Sequence, residues 1–88
     1  MKKSHRVEYI VKGFANKNRI DVLRILNKKP ELSVGEISEI LSKAEKNISQ
    51  HLLKMMATGL VMKRNEGKNV RHRLTDKGLM VVNFLERI

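Results

Sequence analysis

The sequence predicts a mainly α-helical fold with one β-hairpin, an α+β domain of about five helices and two strands. Apolar residues recur at helical spacing in the segments before Gly59. After Gly59 they alternate with polar residues, as in a half-buried strand, before a last helical segment. The chain of 88 residues suits one small domain, so we assign residues 1–88 to a single unit.

Each predicted helix has a start or stop signal of its own. Asn16 can cap the second helix, and Pro30 should stop it. Ser33 and Glu36 have the spacing of a capping box at the start of the third helix. Gly59 is a typical residue to follow the fourth, because it adopts positive φ without strain. The predicted helices span about residues 5–15, 17–28, 34–41, 45–58 and 76–88.

The segment of about residues 60–75 predicts a β-hairpin. Val70, His72 and Leu74 alternate with charged or polar residues, which is the period of a strand. The residues around Gly67 supply a turn between two such runs. We expect His72 to point inward and serve packing.

Composition argues against several classes of function. The chain has no cysteine, which removes disulfides and thiolate metal sites. Its three histidines are not spaced for a metal or a catalytic pair. We therefore predict no enzyme activity, no metal and no cofactor. No apolar run approaches the roughly 20 residues of a membrane helix, so we expect a cytoplasmic protein that binds no membrane.

The net charge of +10 is unevenly distributed and indicates nucleic-acid binding. Residues 43–77 carry nine basic residues against three acids, whereas residues 30–42 carry three acids and no basic residue. Clustered lysine and arginine on a strongly basic domain is typical of proteins that bind nucleic acid. A merely solvated surface is the alternative. We favour DNA because the second basic cluster coincides with the fourth helix and the hairpin.

The fourth helix is apolar on one side and polar and basic on the other. Its outward side chains are of the types that reach phosphates and base edges. The candidate DNA contacts on this helix are Lys46, Asn47, Ser49, Gln50 and Lys54. Those on the hairpin are Lys63, Arg64, Lys68, Arg71 and Arg73. Of the latter we expect Lys68 and Arg71 to reach phosphates or the minor groove. The same charges would protect an exposed strand edge from aggregation.

The order of elements resembles a winged helix-turn-helix, and the details resemble the ArsR-like transcriptional regulators. Residues 48–61, ISQHLLKMMATGLV, are similar to that family's V-S-x-H-L-x-x-L-x-x-x-G-L-V signature. Residues 16–26, NKNRIDVLRIL, look like the family's second helix. The resemblance implies that the fourth helix enters the major groove and that the hairpin is the wing. The family's metal-binding cysteine positions hold Ser33 and Gly35, which indicates the non-metal branch with an unknown effector.

The resemblance also implies a homodimer built by the first and last helices. The candidate interface residues, shared between core and interface, are Val7, Ile10, Val11, Phe14, Leu79, Val82 and Leu85. A two-fold dimer would bind a near-palindromic operator on double-stranded DNA, with half-sites about 10 bp or a multiple apart. The leading hypothesis is a sequence-specific repressor associated with a prokaryotic nucleoid. The alternatives are an architectural or nonspecific DNA-binding protein and a protein-interaction module.

Overall fold

The computed structural model describes residues 2–29 and 31–88, in which five helices surround a core and a two-stranded antiparallel hairpin lies at one side. The elements are α1 (Lys3–Phe14), α2 (Lys17–Lys28), α3 (Val34–Leu41), α4 (Glu45–Ala57), β1 (Val61–Glu66), β2 (Asn69–Leu74) and α5 (Asp76–Glu86). The predicted fold class is therefore confirmed. The first helix begins two residues earlier than predicted, and the last ends two residues earlier. Pro30, expected to stop the second helix, lies outside the described residues. None of the described helices is long and apolar enough to cross a membrane.

Side-chain caps fix where three of the helices begin. The Asn16 side chain accepts hydrogen bonds from the backbone N–H groups of Asn18 and Arg19 at the start of α2. Ser33 and Glu36 form a complete capping box at the start of α3, with N···O distances of 3.2 and 2.9 Å. The Thr75 side chain accepts from a backbone N–H of α5. These caps satisfy donors that would otherwise lack an intrahelical partner.

The core is aliphatic, and α2 lies at its centre. Val22, Leu23 and Leu26 of α2 are at most 1% exposed. They pack against buried apolar side chains of the other elements. The other fully buried side chains are Ile37, Ile48, Leu52, Met55, Leu60 and Val82. Because α2 contacts α3, α4, α5 and β2, this helix holds these four elements in place.

Two glycines allow unusually close contacts between elements. A Cβ atom on Gly13 would lie 2.5 Å from Cγ2 of Thr58, so α1 packs tightly against the end of α4. A Cβ atom on Gly78 would lie 2.0 Å from the backbone oxygen of Leu60, which brings α5 against the start of the hairpin. By contrast, Gly35 has room for a Cβ at 3.7 Å from its nearest neighbour atom. Gly35 therefore does not serve a close contact between α3 and a neighbouring element.

The hairpin is tied to the segment that precedes α3. Val61 pairs with Leu74 at its base, and Glu66 pairs with Asn69 at its tip. Leu32 and His72 exchange backbone hydrogen bonds of 3.0 and 2.8 Å, which adds a short bridge beside β2. His72 is 3% exposed and points inward, as expected.

Candidate nucleic-acid interface

A short turn joins α3 to α4 and sets the angle between them. Ser42 adopts a left-handed conformation with φ of 55°, which is uncommon for a residue other than glycine. The backbone N–H of Lys43 donates to the oxygen of Ser38 at 3.1 Å. The Ser38 hydroxyl in turn donates to the oxygen of Lys43. The chain turns within these few residues, and α4 begins at Glu45 with its first turn on the surface.

The exposed side of α4 carries all five predicted contacts. Lys46, Asn47, Gln50 and Lys54 are exposed, and Ser49 is half-buried. Ile48, Leu52 and Met55 on the opposite side are at most 1% exposed. At 100° per residue, Lys46 and Gln50 follow the outermost line of the helix, and the other three flank it. The core therefore holds α4 with its polar side outward.

A hydrogen bond from α2 helps to orient α4. Arg19 donates from Nε to Nδ1 of His51 at 3.3 Å and from Nη1 to the backbone oxygen of Lys12 at 3.0 Å. The pKa of His51 is lowered by burial and, to a lesser extent, by the positive charge of Arg19. A neutral ring leaves Nδ1 free to accept. His51 thus links α4 to α2 through this hydrogen bond.

The wing presents exposed cations, of which Lys63 lines the crevice between the wing and α4. Lys63, Lys68 and Arg73 are exposed, and none of them forms an ion pair with the described residues. Lys68 lies at the tip, next to Gly67 in the turn. A crevice of about 280 Å³ separates the wing from α4, and residues of both elements line it. The exposed side of α4 and the wing therefore border one continuous surface.

Two of the predicted wing contacts are held by acids of the same chain. Arg64 pairs with Glu31 and, at 3.2 Å, with Glu66. Arg71 pairs with Glu66 at 3.1 Å and with Glu36 at 3.2 Å. In this conformation Arg71 lies against the start of α3, and its contact with phosphates or the minor groove stays a prediction. Hydrogen bonds from Arg71 and Arg64 lower the pKa of Glu66, and a hydrogen bond from Arg64 lowers that of Glu31.

An apolar groove of about 600 Å³ lies between α1 and α5. Val7 and Val11 on α1 are 48% and 43% exposed, whereas Met80 and Phe84 on α5 are 69% and 61% exposed. The groove is lined by Val7, Ile10, Val11, Phe14, Lys77, Met80, Val81 and Phe84. All four candidate interface residues of α1 therefore border it.

The candidate interface residues of α5 are placed differently. Val82 is 0% exposed and belongs to the core, so within a set expected to be shared between core and interface it falls on the core side. Leu79 is 44% exposed, and Leu85 is half-buried, but neither lines the groove. Met80 and Phe84 line it instead, and the sequence reasoning missed both. Their spacing of four residues was the available signal, since such a pair lies on one helix face.

Neither of the two positions that resemble cysteine sites in metal-sensing relatives supplies a thiolate here. Ser33 uses its side-chain oxygen to cap α3, and Gly35 has no side chain. Within residues 2–29 and 31–88, no three His, Asp or Glu side chains come together in a way that could hold a metal ion.

Comparison with known proteins identifies the family. The model of the "Bacterial regulatory protein, arsR family" matches residues 16–63. The chain belongs to the ArsR family. It is 36% identical to the transcriptional activator HlyU of Vibrio cholerae over 88 residues, which cover 99% of this chain and 81% of HlyU. It is also 30% identical to the arsenical resistance operon repressor of Escherichia coli over 66 residues, covering 75% of this chain and 56% of that repressor.

Solved structures agree with this assignment. HlyU of Vibrio cholerae superposes with a TM-score of 0.86 at 34% identity, covering 99% of this chain and 96% of that one. The repressor BigR of Xylella fastidiosa has a TM-score of 0.81 at 27% identity, covering 94% and 82%. A homodimeric winged helix-turn-helix DNA-binding domain from Mycobacterium bovis shares the fold, with a TM-score of 0.85 at 23% identity, covering 93% and 76%. The predicted winged helix-turn-helix fold and the predicted family are confirmed.

Proposed function

We propose that this ArsR-family protein is a homodimeric, sequence-specific repressor of transcription. In this proposal α4 lies in the major groove of a near-palindromic operator, and the wing contacts the backbone or the minor groove. The observation that carries it is the shared border of the exposed α4 face and the basic wing. A dimer bound across a promoter would occlude it.

The chemistry of the α4 face suits the major groove. Base edges there carry a donor and acceptor pattern that is distinct for each base pair. Gln50 and Asn47 can pair with adenine through two hydrogen bonds, and Lys46 can donate to guanine. All three are exposed in the first half of α4, which is the part that helix-turn-helix proteins present to base edges. In the same proposal, Ser49 and Lys54 reach a base or a phosphate.

The wing supplies the electrostatic part of binding. Lys63, Lys68 and Arg73 are exposed and unengaged among the described residues. Lysines and arginines that neutralise phosphates release counterions, which makes affinity fall steeply with salt. If six phosphates were neutralised, affinity would fall on the order of a thousandfold between 50 and 200 mM salt.

A second copy of the chain is the proposed occupant of the α1–α5 groove. Val7, Val11, Met80 and Phe84 each leave more than two fifths of their surface exposed there. Exposed apolar surface of this kind is often a site of protein–protein contact. A two-fold pairing through this groove would place two α4 helices for half-sites one helical turn, about 34–36 Å, or a multiple of it apart.

Selection of bound DNA from a random pool at physiological salt tests the proposal. We expect enrichment of a gapped palindrome. The double variant Lys46→Ala/Gln50→Ala should lose that preference while keeping salt-dependent nonspecific binding. Arg87→Ala is the charge-matched control, because Arg87 follows α5, away from α4 and the wing along the chain.

Three outcomes would count against the proposal. Binding without enrichment would indicate an architectural or nonspecific DNA-binding protein. Full regulatory activity of the double variant would indicate a protein-interaction module. Activation of a reporter whose promoter overlaps the selected site would refute repression while leaving DNA binding intact.

A further inference from the structure

One large apolar side chain interrupts the polar side of α4. Leu53 is 61% exposed, although the buried side of the same helix already provides its core contacts. It follows Gln50 by three residues and Lys46 by seven, so it lies on the same helix face as these two candidate base contacts.

The surroundings of Leu53 form a small apolar patch that faces the same way. Leu53 borders the crevice between α4 and the wing, together with Met56 and Val70. Val70 of the wing is 37% exposed. Leucine side chains on a helix lean toward its N-terminus, so Leu53 covers the surface beside Ser49 and Gln50. The patch thus lies within the candidate interface.

We propose that Leu53 is a specificity-determining residue that contacts the C5-methyl group of a thymine in each half-site. This inference rests on the proposed function. In the major groove, thymine is distinguished by a methyl group, which apolar side chains recognise. Lys46 and Gln50 end in polar groups and are suited to hydrogen bonds with base edges, whereas Leu53 ends in two methyl groups. The lysine that lines the same crevice, Lys63, would hold the adjacent phosphate backbone and keep the thymine edge against Leu53.

The expected effect follows from burial of one methyl group. Removing a buried methyl group from an apolar contact weakens binding about fourfold. Two equivalent thymines in a two-fold operator would give about sixteenfold, because well-separated positions act nearly independently.

The probe is the duplex selected by the wild-type protein, with each thymine replaced in turn by deoxyuridine. This replacement removes only the C5-methyl group. Affinity is measured by fluorescence anisotropy at constant salt. We expect one symmetric pair of positions at which deoxyuridine weakens wild-type binding about sixteenfold, for the reason given above. At that pair Leu53→Ala should show no loss, and Leu53→Met should keep part of it.

The possible results distinguish failure of the inference about Leu53 from failure of the proposed function. Leu53→Ala should keep the wild-type melting temperature, because the position is exposed and alanine favours helices. Specific wild-type binding that is insensitive to deoxyuridine would overturn the inference about Leu53 alone. An equal loss in the wild type and Leu53→Ala would do the same. Failure of the wild-type protein to select any sequence would overturn the proposed function and this inference together.

Discussion

Glu66→Gln should strengthen DNA binding, although Glu66 itself is not a proposed DNA contact. Its carboxylate accepts hydrogen bonds from both Arg64, at 3.2 Å, and Arg71, at 3.1 Å. Glu66, Glu31 and Glu36 surround the two arginines. The three acids and two arginines together have a net charge of −1, on the wing side of a basic surface. The substitution makes the cluster neutral and replaces one of the two carboxylate oxygens that accept from Arg64 and Arg71 with an amide NH2 group, which cannot accept a hydrogen bond.

The magnitude follows from counterion release. Each phosphate neutralised by a protein cation changes the slope of log affinity against log salt by about −0.9. One additional phosphate contact would therefore add about a 3.5-fold fall in affinity between 50 and 200 mM salt. The assay is fluorescence anisotropy on the selected duplex at four salt concentrations and neutral pH. Glu66 is ionised there, because its arginine partners lower its pKa.

The matched control is Glu39→Gln, which also removes one negative charge. Glu39 is exposed on α3 and forms no ion pair among residues 2–29 and 31–88. It should leave the salt slope nearly unchanged. An unchanged slope for Glu66→Gln, or weaker binding at every salt concentration, would refute the reasoning. The second result would mean that the ion pairs position the wing and that their arginines are not available to DNA.

Three further predictions concern assembly and stability. Phe84→Lys should convert the proposed dimer to a monomer in sedimentation, because it places a charge in the α1–α5 groove. The control, Asn83→Lys on the exposed side of the same helix, should stay dimeric. Gly13→Ala should destabilise the fold by about 1–3 kcal/mol through overpacking. Gly35→Ala should stabilise it by up to about 1 kcal/mol. Chemical denaturation that ranks the two variants in the opposite order would contradict the packing argument. Burial lowers the pKa of His72 in the folded state, so stability should be complete above the unfolded-state pKa of about 6.5 and fall as the pH drops below it. His72→Gln should flatten that decline in urea midpoint, and an equally steep decline would exclude His72 as its cause.

The sequence was sufficient where local signals determine structure. The helix starts follow from caps such as Asn16 and Ser33, whose partners lie within three residues. The change of apolar period after Gly59 located the hairpin. Gly59 itself has φ of 78°, as its position after α4 predicted.

The sequence was insufficient where distant residues meet. Arg71 bonds to Glu36 across 35 positions, and no local pattern indicates that pairing. Val82 and Phe84 both look apolar on the same helix, yet one is 0% and the other 61% exposed. Which apolar face turns inward depends on how α5 packs against α2 and the hairpin, and this is decided only when all elements are assembled.

The close packing of α1 has a consequence for how a chain without cysteine could respond to a signal. α1 packs against the end of α4 through the contact between Gly13 and Thr58. The Arg19 side chain donates hydrogen bonds to a backbone oxygen of α1 and to His51 of α4. If the same helix also meets its copy across the two-fold axis, as in the proposed dimer, a tilt of α1 would move both α4 helices. A change at the dimer interface would then alter the spacing between the two α4 helices, and so the operator spacing that the dimer fits, without touching a base.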